Sequence, residues 1–133
     1  MPKPLSGSRI LVALMALAGA ALIPIAVSSR SVQAVREIRL VARSMTYYLE
    51  GSTVPNPTLL VRRGEQVRIV LRNGDPGMIH DFGIDAWSVR TRLVDDKGKE
   101  DGVLQFKAPE HPVDAAYSCT PHTQMMRGTI RVE

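Results

Sequence analysis

The chain has 133 residues, of which 44% are hydrophobic and 5% aromatic, and it carries a formal net charge of +4. Its single cysteine excludes a disulfide framework within the chain. Three of the 17 basic residues (Lys3, Arg9 and Arg30) precede residue 35 and none of the 13 acidic residues does, so the remainder is nearly neutral and gives nucleic-acid binding little support.

The first 34 residues have the layout of an export signal, a basic start followed by an apolar run. The slender residues at 32–34 allow cleavage before Val35. The uncharged run at residues 10–27 is also long enough to cross a bilayer, which favours a retained membrane anchor, so both alternatives stay open. In either case the basic start keeps its end in the cytoplasm and places residues 35–133 on the periplasmic or extracytoplasmic side, anchored to the membrane or secreted after cleavage near Ala34.

Residues 35–133 are predicted to form one small domain of strands, because apolar residues recur there with a period of two. The stretches "VREIRLVAR" and "QVRIVLRN" alternate apolar and charged positions. "TLLVRRGEQV" predicts two strands joined at Arg63 and Gly64. The residues of "QVRIVLRN" that are predicted to share a face are Val67, Ile69 and Leu71.

Turn residues and charged loops separate the remaining elements. "NGDPG" at residues 73–77 has strong turn chemistry, and "VDDKGKED" and "PEHPVD" are predicted to be solvated loops. Further short strands are predicted from "HDFGI", "WSVRTRL", "GVLQFKA", "AAYSC" and "GTIRVE", and no part of residues 35–133 has the pattern of a long amphipathic helix. The predicted fold class is therefore all-β, an antiparallel two-sheet sandwich with Greek-key connections, preceded by an N-terminal hydrophobic helix.

The stretch "YSCTPHTQMMRGTIRV" places the one cysteine, Cys119, close to a histidine and two methionines. An unpaired thiol in an oxidising compartment is open to oxidation unless it is buried or bound to a metal. Burial as a small hydrophobic residue is the simplest explanation for a lone cysteine. The neighbours His122, Met125 and Met126 favour a metal instead, because thiolate, imidazole and a weak thioether suit copper in both of its oxidation states.

A copper site of this type needs a second imidazole, and the chain has three histidines. His80 follows the turn-rich segment at the start of a predicted strand, so its ring can project from the end of the sandwich where loops gather. His111 lies in a polar loop between two prolines and is predicted to be exposed surface. His80 is therefore the candidate that joins Cys119 and His122.

These motifs resemble those of the cupredoxins, the small blue copper family that includes plastocyanin, azurin and amicyanin. The resemblance covers residues 36–133, through "RNGDPGMIH" and the loop "CTPHTQMMRGTI", which is similar to that of amicyanin with one extra residue. It implies a cupredoxin-like Greek-key sandwich and one type 1 copper ion. Met126 forms the family's M-x-G and follows His122 at an azurin-like spacing, so it is preferred to Met125 as the axial ligand. The implied ligands are His80, Cys119, His122 and Met126.

The resemblance further implies a carrier of single electrons between redox proteins, without a catalytic residue and without a small-molecule substrate. Three histidines cannot build the additional His-rich centres of copper enzymes with this fold, and one cysteine excludes a binuclear copper centre. The expected partner is a membrane electron-transfer complex, with the membrane itself contacted through residues 10–27 if they are retained. The alternative function is a membrane-anchored accessory subunit of a larger complex, with copper secondary or absent.

Several residues around the site have expected supporting roles. The backbone near residue 80 is expected to donate to the Cys119 sulfur, and the side chains of Asn73 and Asp81 to fix the two ligand loops. Gly128 is expected to let the loop close onto the last strand. Tyr117 and Trp87 are expected in the core. The residues expected to form an apolar collar around the His122 ring are Pro76, Met78, Pro121 and Met125.

Overall fold

The computed structural model describes residues 33–97 and 101–133, which are built almost wholly from short strands and belong to one compact unit. The predicted N-terminal hydrophobic helix lies outside the described residues. Across the part that is described, no helix is long and apolar enough to span a bilayer. In chain order this part contains β1 Arg36–Ala42, β2 Tyr47–Leu49, β3 Leu59–Val61, β4 Gln66–Asn73, β5 Ile79–His80, β6 Gly83–Ile84, a 3₁₀ turn Asp85–Trp87, β7 Val89–Arg90, β8 Val94–Asp95, β9 Gly102–Lys107, β10 Val113–Ser118 and β11 Arg127–Val132.

The strands form two sheets with a short ribbon beside them. The four-stranded sheet has the order β2-β1-β4-β9, and the five-stranded sheet has the order β3-β11-β10-β6-β7. Strands β5 and β8 pair as the ribbon. The predicted all-β, two-sheet architecture is confirmed, whereas β2 and the ribbon were not predicted as separate elements.

Two neighbouring strand pairs are parallel, so the prediction of a wholly antiparallel sandwich is wrong. Strand β1 runs beside β4 in the same direction, and β3 runs beside β11. Parallel neighbours cannot be joined by a hairpin and need a crossover connection. After β1 the chain passes through β2 and then β3, which belongs to the other sheet, before it returns as β4. The period of two specifies which face each residue occupies, but it does not specify the direction of the neighbouring strand.

The core fills the space between the two sheets. Val67, Ile69 and Leu71 are fully buried, which confirms the predicted inward face of β4. On β1, the buried residues alternate with exposed ones, as its pattern predicts. This alternation explains why nearly every second residue of the central strands is apolar.

An aromatic cluster occupies the core close to the ligand loops. The rings of Tyr47, Phe82 and Tyr117 pack against one another with centroid separations of 5.0 to 5.7 Å. Trp87 is half-buried against the core, with its ring 5.5 Å from that of Phe106. The predicted core position of Tyr117 is confirmed, whereas Trp87 lies at the edge of the core and packs against it. Aromatic packing of this kind contributes beyond simple area burial.

Gly128 has a different role from the one predicted. It lies within β11 opposite Tyr117 of β10, and it is not in the left-handed region. A Cβ atom at this position would overlap the phenol ring of Tyr117. The glycine is therefore required by the close approach of that ring, because no other residue leaves the space free.

Candidate metal centre

Three donor atoms from two separate loops converge at one end of the sandwich. His80 lies at the end of β5, whereas Cys119 and His122 follow β10. The Cys119 Sγ lies 3.8 Å from His80 Nδ1 and 3.6 Å from His122 Nδ1. Within residues 33–97 and 101–133, these three residues form the one group of three or more potential ligands that could hold a metal ion.

The two sulfur–nitrogen separations fit a single first-row metal ion. Metal–nitrogen bonds of about 2.0 Å and metal–sulfur bonds of about 2.3 Å, arranged at about 120°, give a sulfur–nitrogen separation of about 3.7 Å. The two measured separations, 3.8 and 3.6 Å, lie on either side of that value. One soft sulfur with two imidazoles is a donor set that suits one copper ion.

His80 is held in a defined orientation by Asp75. The His80 ring is fully buried, and its Nε2 donates to Asp75 Oδ2 at 3.0 Å. The same carboxylate accepts from the backbone N–H groups of Ser44, at 2.5 Å, and Met45, at 2.9 Å. Because Nε2 carries the proton in this bond, Nδ1 presents its lone pair toward Cys119.

The local environment favours the protonation states that a metal needs. Burial lowers the pKa of His80, which keeps its imidazole neutral. Although burial raises the pKa of Asp75, the backbone N–H groups of Met45 and Ser44 and the His80 ring outweigh it and lower that pKa. Burial raises the pKa of the Cys119 thiol, so the metal-free protein holds a neutral thiol next to a neutral imidazole.

The loop that follows Cys119 is closed by its own backbone. The His122 carbonyl accepts from the N–H of Met126 at 2.9 Å, and the Met126 carbonyl accepts from the N–H of Cys119 at 3.0 Å. His122 remains partly exposed, whereas Cys119 is fully buried. The loop therefore presents one side of the donor group to solvent through the His122 ring.

The two methionines of this loop occupy different environments. Met126 is fully buried in the core, whereas 51% of Met125 is exposed. The Met125 carbonyl accepts from the side-chain amide of Asn56 at 2.9 Å. Asn56 was not singled out in the sequence, although its position between two prolines is a signal for a fixed turn.

The predicted supporting contacts of Asn73 and Asp81 are present. Asn73 donates from its side-chain amide to the carbonyls of Met78, at 2.8 Å, and Val94, at 3.0 Å. Asp81 accepts from the Thr120 N–H at 2.7 Å through Oδ1, and the Asp81 backbone bonds the Cys119 sulfur. The Asp81 bonds join the two segments that carry the donors, whereas the Asn73 bonds hold the loop before His80 against the segment around Val94.

Other sequence-predicted positions lie away from the donor group. His111 is exposed, as predicted, and is outside the group. Pro121 and Met125 line one shallow depression together with His122. The places of Pro76 and Met78 in an apolar collar stay predictions. Asp75 was recognised only as a turn residue, and the sequence carries no separate signal for its bond to His80.

Comparison with known proteins adds evidence on the fold. No protein-family model matches the chain, and no curated protein matches it either. Among solved structures, reduced rusticyanin matches with a TM-score of 0.60 and 20% identity, over 74% of this chain and 79% of that one. Auracyanin A from Chloroflexus aurantiacus, described as a "blue" copper protein, matches with a TM-score of 0.55 and 17% identity, over 75% of this chain and 100% of that one.

A variant of amicyanin in its reduced Cu(I) form matches with a TM-score of 0.50 and 22% identity, over 73% of this chain and 82% of that one. The chain has the cupredoxin fold. The resemblance noted in the sequence is confirmed at the level of the fold by these matches. In this cupredoxin fold, the donor group lies where the end of β5 meets the loop after β10.

Proposed function

We propose that this cupredoxin-fold chain is an extracytoplasmic copper protein that carries single electrons between redox partners. The observation that carries the proposal is the meeting of two imidazole Nδ1 atoms and one thiol at separations suited to a single ion. The similarity to rusticyanin, auracyanin and amicyanin supports it. Residues 35–133 are the copper domain in this proposal, and residues 1–34 are an export signal or a retained membrane anchor.

The proposed ligands are His80 Nδ1, Cys119 Sγ, His122 Nδ1 and the thioether of Met126. Met126 is preferred to Met125 because it is fully buried, whereas Met125 is half exposed. Copper bound by such a set supplies a centre that gains and loses one electron at nearly constant geometry.

The chain itself keeps the ligands in place whether or not an electron is present. Asp75 orients the His80 ring, and Asp81 joins the backbone after Cys119 to the strand that follows His80. These bonds are made by buried or partly buried groups, and a rigid supporting shell reduces the rearrangement that accompanies a change of charge. This is the property required of an electron carrier and is of little use for releasing a stored ion.

The proposed point of electron exchange is the His122 ring. His80, Cys119 and Met126 are fully buried, whereas His122 is partly exposed in a depression lined by Pro121 and Met125. A redox protein that docks there obtains a short route to the ligands, and small, weak interfaces suit such transient encounters. We propose a membrane electron-transfer complex as the partner and assign no catalytic reaction to the site.

The purified protein titrated with Cu(II) is expected to bind one ion per chain and to become intensely coloured through thiolate-to-copper charge transfer. Cys119→Ser should abolish the colour, because a hydroxyl group does not replace the thiolate. His111→Ala is the matched control and should leave the spectrum unchanged, since His111 is exposed and lies outside the donor group. A protein that stays colourless and does not bind copper would refute the electron-transfer function and favour the accessory-subunit alternative.

A further inference from the structure

Arg90 holds the backbone on both sides of Cys119. It bonds the residue before Cys119 directly and the residue after it through the carboxylate of Asp81. Its guanidinium Nη1 donates to the Ser118 carbonyl at 3.2 Å and to Asp81 Oδ1 at 3.1 Å. Asp81 Oδ1 in turn accepts from the Thr120 N–H at 2.7 Å. The residues immediately before and after Cys119 are therefore tied to a single ion pair.

The path of the Arg90 side chain depends on Gly83. In the five-stranded sheet, Gly83 of β6 pairs with Arg90 of β7 on one side and with Ser118 of β10 on the other. A Cβ atom on Gly83 would overlap the guanidinium group. The glycine thus leaves open the space through which Arg90 crosses β6 and reaches β10.

The Arg90–Asp81 pair is charged and largely shielded from water. The Asp81 side chain is 4% exposed and the Arg90 side chain 28%. Arg90 also donates to Asp85 through Nη2 at 2.5 Å, and the Asp85 side chain is 79% exposed. A buried carboxylate that loses its cation is strongly unfavourable, so removal of Arg90 is costly for this part of the fold. The outer bond to Asp85 holds the guanidinium from the solvent side.

We propose that Arg90 is a positioning residue for Cys119. With Asp81 it fixes the backbone on both sides of the thiol, and its positive charge offsets the Asp81 carboxylate next to the metal centre. This proposal rests on the proposed copper function and adds to it a residue that sets the reduction potential. Gly83, Asp81 and Arg90 together form the "Arg90 clamp".

The first test measures the reduction potential of the copper-loaded protein. Arg90→Met leaves the Asp81 charge without its partner, which favours Cu(II) over Cu(I), so the potential should fall and the thiolate band should shift or broaden. Arg90→Lys keeps the positive charge but cannot reproduce the several directed bonds of the planar guanidinium group. It should therefore have a reduction potential close to that of wild type, while the shape of the thiolate band stays altered. Gly83→Ala displaces the guanidinium without changing the charge and should alter the band with a smaller fall in potential.

Arg131→Met is the matched control for the loss of one arginine charge. Arg131 pairs with Asp114 through two bonds, at 2.9 and 2.8 Å, at the opposite end of the β10–β11 pair from the metal loop. Its removal should leave both the potential and the band unchanged. If the reduction potential fell equally in the Arg131 and Arg90 variants, the proposal would be overturned, because the effect would then come from the total charge of the protein.

The second test needs no metal and measures amide hydrogen exchange at Thr120 in the copper-free full-length protein. Loss of the Arg90 clamp should accelerate exchange at this amide by about tenfold or more, since its bond to a charged acceptor is weakened. Arg131→Met should leave the exchange rate unchanged. If Arg90→Met does not fold, Arg90→Lys and Gly83→Ala provide the same comparison.

The two tests separate the clamp from the copper function. A wild-type protein that binds no copper refutes the proposed function, and the exchange rate at Thr120 then still decides whether the clamp holds the loop. If the Thr120 amide exchanges at the wild-type rate in every folded clamp variant, the proposed clamp is overturned, whether or not the protein binds copper. An unchanged potential in copper-loaded Arg90→Met overturns its role in setting the potential.

Discussion

At the residue scale, the most informative side chain outside the donor group is Asp75. Its carboxylate bonds the His80 ring and also two successive backbone N–H groups, of Ser44 and Met45. Both of these residues have left-handed backbones, with φ of 51° and 53°. Such conformations cost non-glycine residues of order 1–3 kcal/mol and persist only where their surroundings hold them. Asp75 thus links an otherwise unfavourable turn to the orientation of a proposed ligand.

Replacement of Asp75 tests this link. Asp75→Asn keeps an oxygen that can accept from His80 but removes the negative charge, so the reduction potential of the copper-loaded protein should rise. Asp75→Ala also releases the turn and should lower the free energy of unfolding of the copper-free protein by about 1–3 kcal/mol, because the left-handed backbones of Ser44 and Met45 lose the acceptor that holds them. Voltammetry and urea denaturation measure the two effects.

Asp96→Asn is the control for the Asp75 variants. Asp96 accepts from the Gly77 N–H at 2.8 Å in the same loop region, without a described bond to His80. Its replacement should change the potential much less than Asp75→Asn. Equal potentials for wild type and Asp75→Asn would show that the carboxylate does not act on the ligand.

The two methionines give a second prediction at this scale. If Met126 is the axial ligand, Met126→Leu removes a weak donor and should raise the reduction potential while the colour survives, because the thiolate and both imidazoles remain. Met125→Leu should change the potential much less, since half of Met125 is exposed. Both potentials are measured under the same conditions. A large shift for Met125→Leu with none for Met126→Leu would reverse the assignment.

The donor residues could be proposed from the sequence because their chemistry is rare and three of them lie on one short loop. Asp75 and Asn56 could not, since each acts through contacts between residues far apart in the chain. Asp75 reaches Ser44, 31 positions away, and Asn56 reaches Met125, 69 positions away. Asp and Asn are common in turns because their side chains bond nearby backbone groups. A further role through tertiary contacts therefore cannot be recognised from a single sequence.

At the element scale, the β10–β11 pair joins the core to the ligand loop. Tyr117 is fully buried above Gly128 and donates from its hydroxyl to the Pro57 carbonyl at 2.6 Å. Cys119 follows two residues later, so the placement of this ring also fixes the start of the loop. The glycine, the ring and the thiol are parts of one packed arrangement.

Gly128→Ala should destabilise the protein by about 1–3 kcal/mol, because the added methyl group overlaps the Tyr117 ring in a close-packed core. Urea denaturation of the copper-free protein measures the change. Thr129→Ala, one residue later on the same strand, should alter the free energy of unfolding by no more than about 0.5 kcal/mol, because Thr129 is partly exposed. A Gly128 variant as stable as wild type would mean that the ring moves aside freely.

Long strands were easier to predict than short ones. Strands β1 and β4 have seven and eight residues, enough for alternation to specify the inward face. Strands β5 to β8 have two residues each, and a period of two has no meaning over that length. Their pairing is decided by tertiary contacts, among them the bonds that Asn73 makes to residues 78 and 94.

At the scale of the whole molecule, the near neutrality of residues 35–133 has a structural counterpart. Arginines on the four-stranded sheet face acidic partners: Arg68 lies 3.5 Å from Glu37, and Arg72 lies 3.7 Å from Glu50. These pairs are exposed and each contributes little to stability. Their effect is that neither sign of charge predominates on this face of the sheet, so the proposed partner contact is expected at the depression around His122 instead.

The position of β1 gives the final prediction, which concerns where the domain begins. Strand β1 lies between β2 and β4, so it is an interior strand, and it pairs with β4 along all seven of its residues. Ile38 is buried and Leu40 almost fully so. A cut before Val35 leaves this ladder intact, whereas a cut inside β1 exposes the backbone of β4 and part of the core.

A chain that starts at Val35 should therefore fold, bind one copper ion and give the same visible spectrum and potential as the full-length protein. A chain that starts at Leu40 loses four of the seven residues of β1 and should be largely unfolded, because the lost pairing and burial amount to several kcal/mol of a total that is typically about 5–15 kcal/mol. Far-UV circular dichroism and urea denaturation distinguish the two outcomes. A folded, copper-binding chain from Leu40 would mean that the first half of β1 is dispensable, and an unfolded chain from Val35 would place the domain boundary inside the preceding segment.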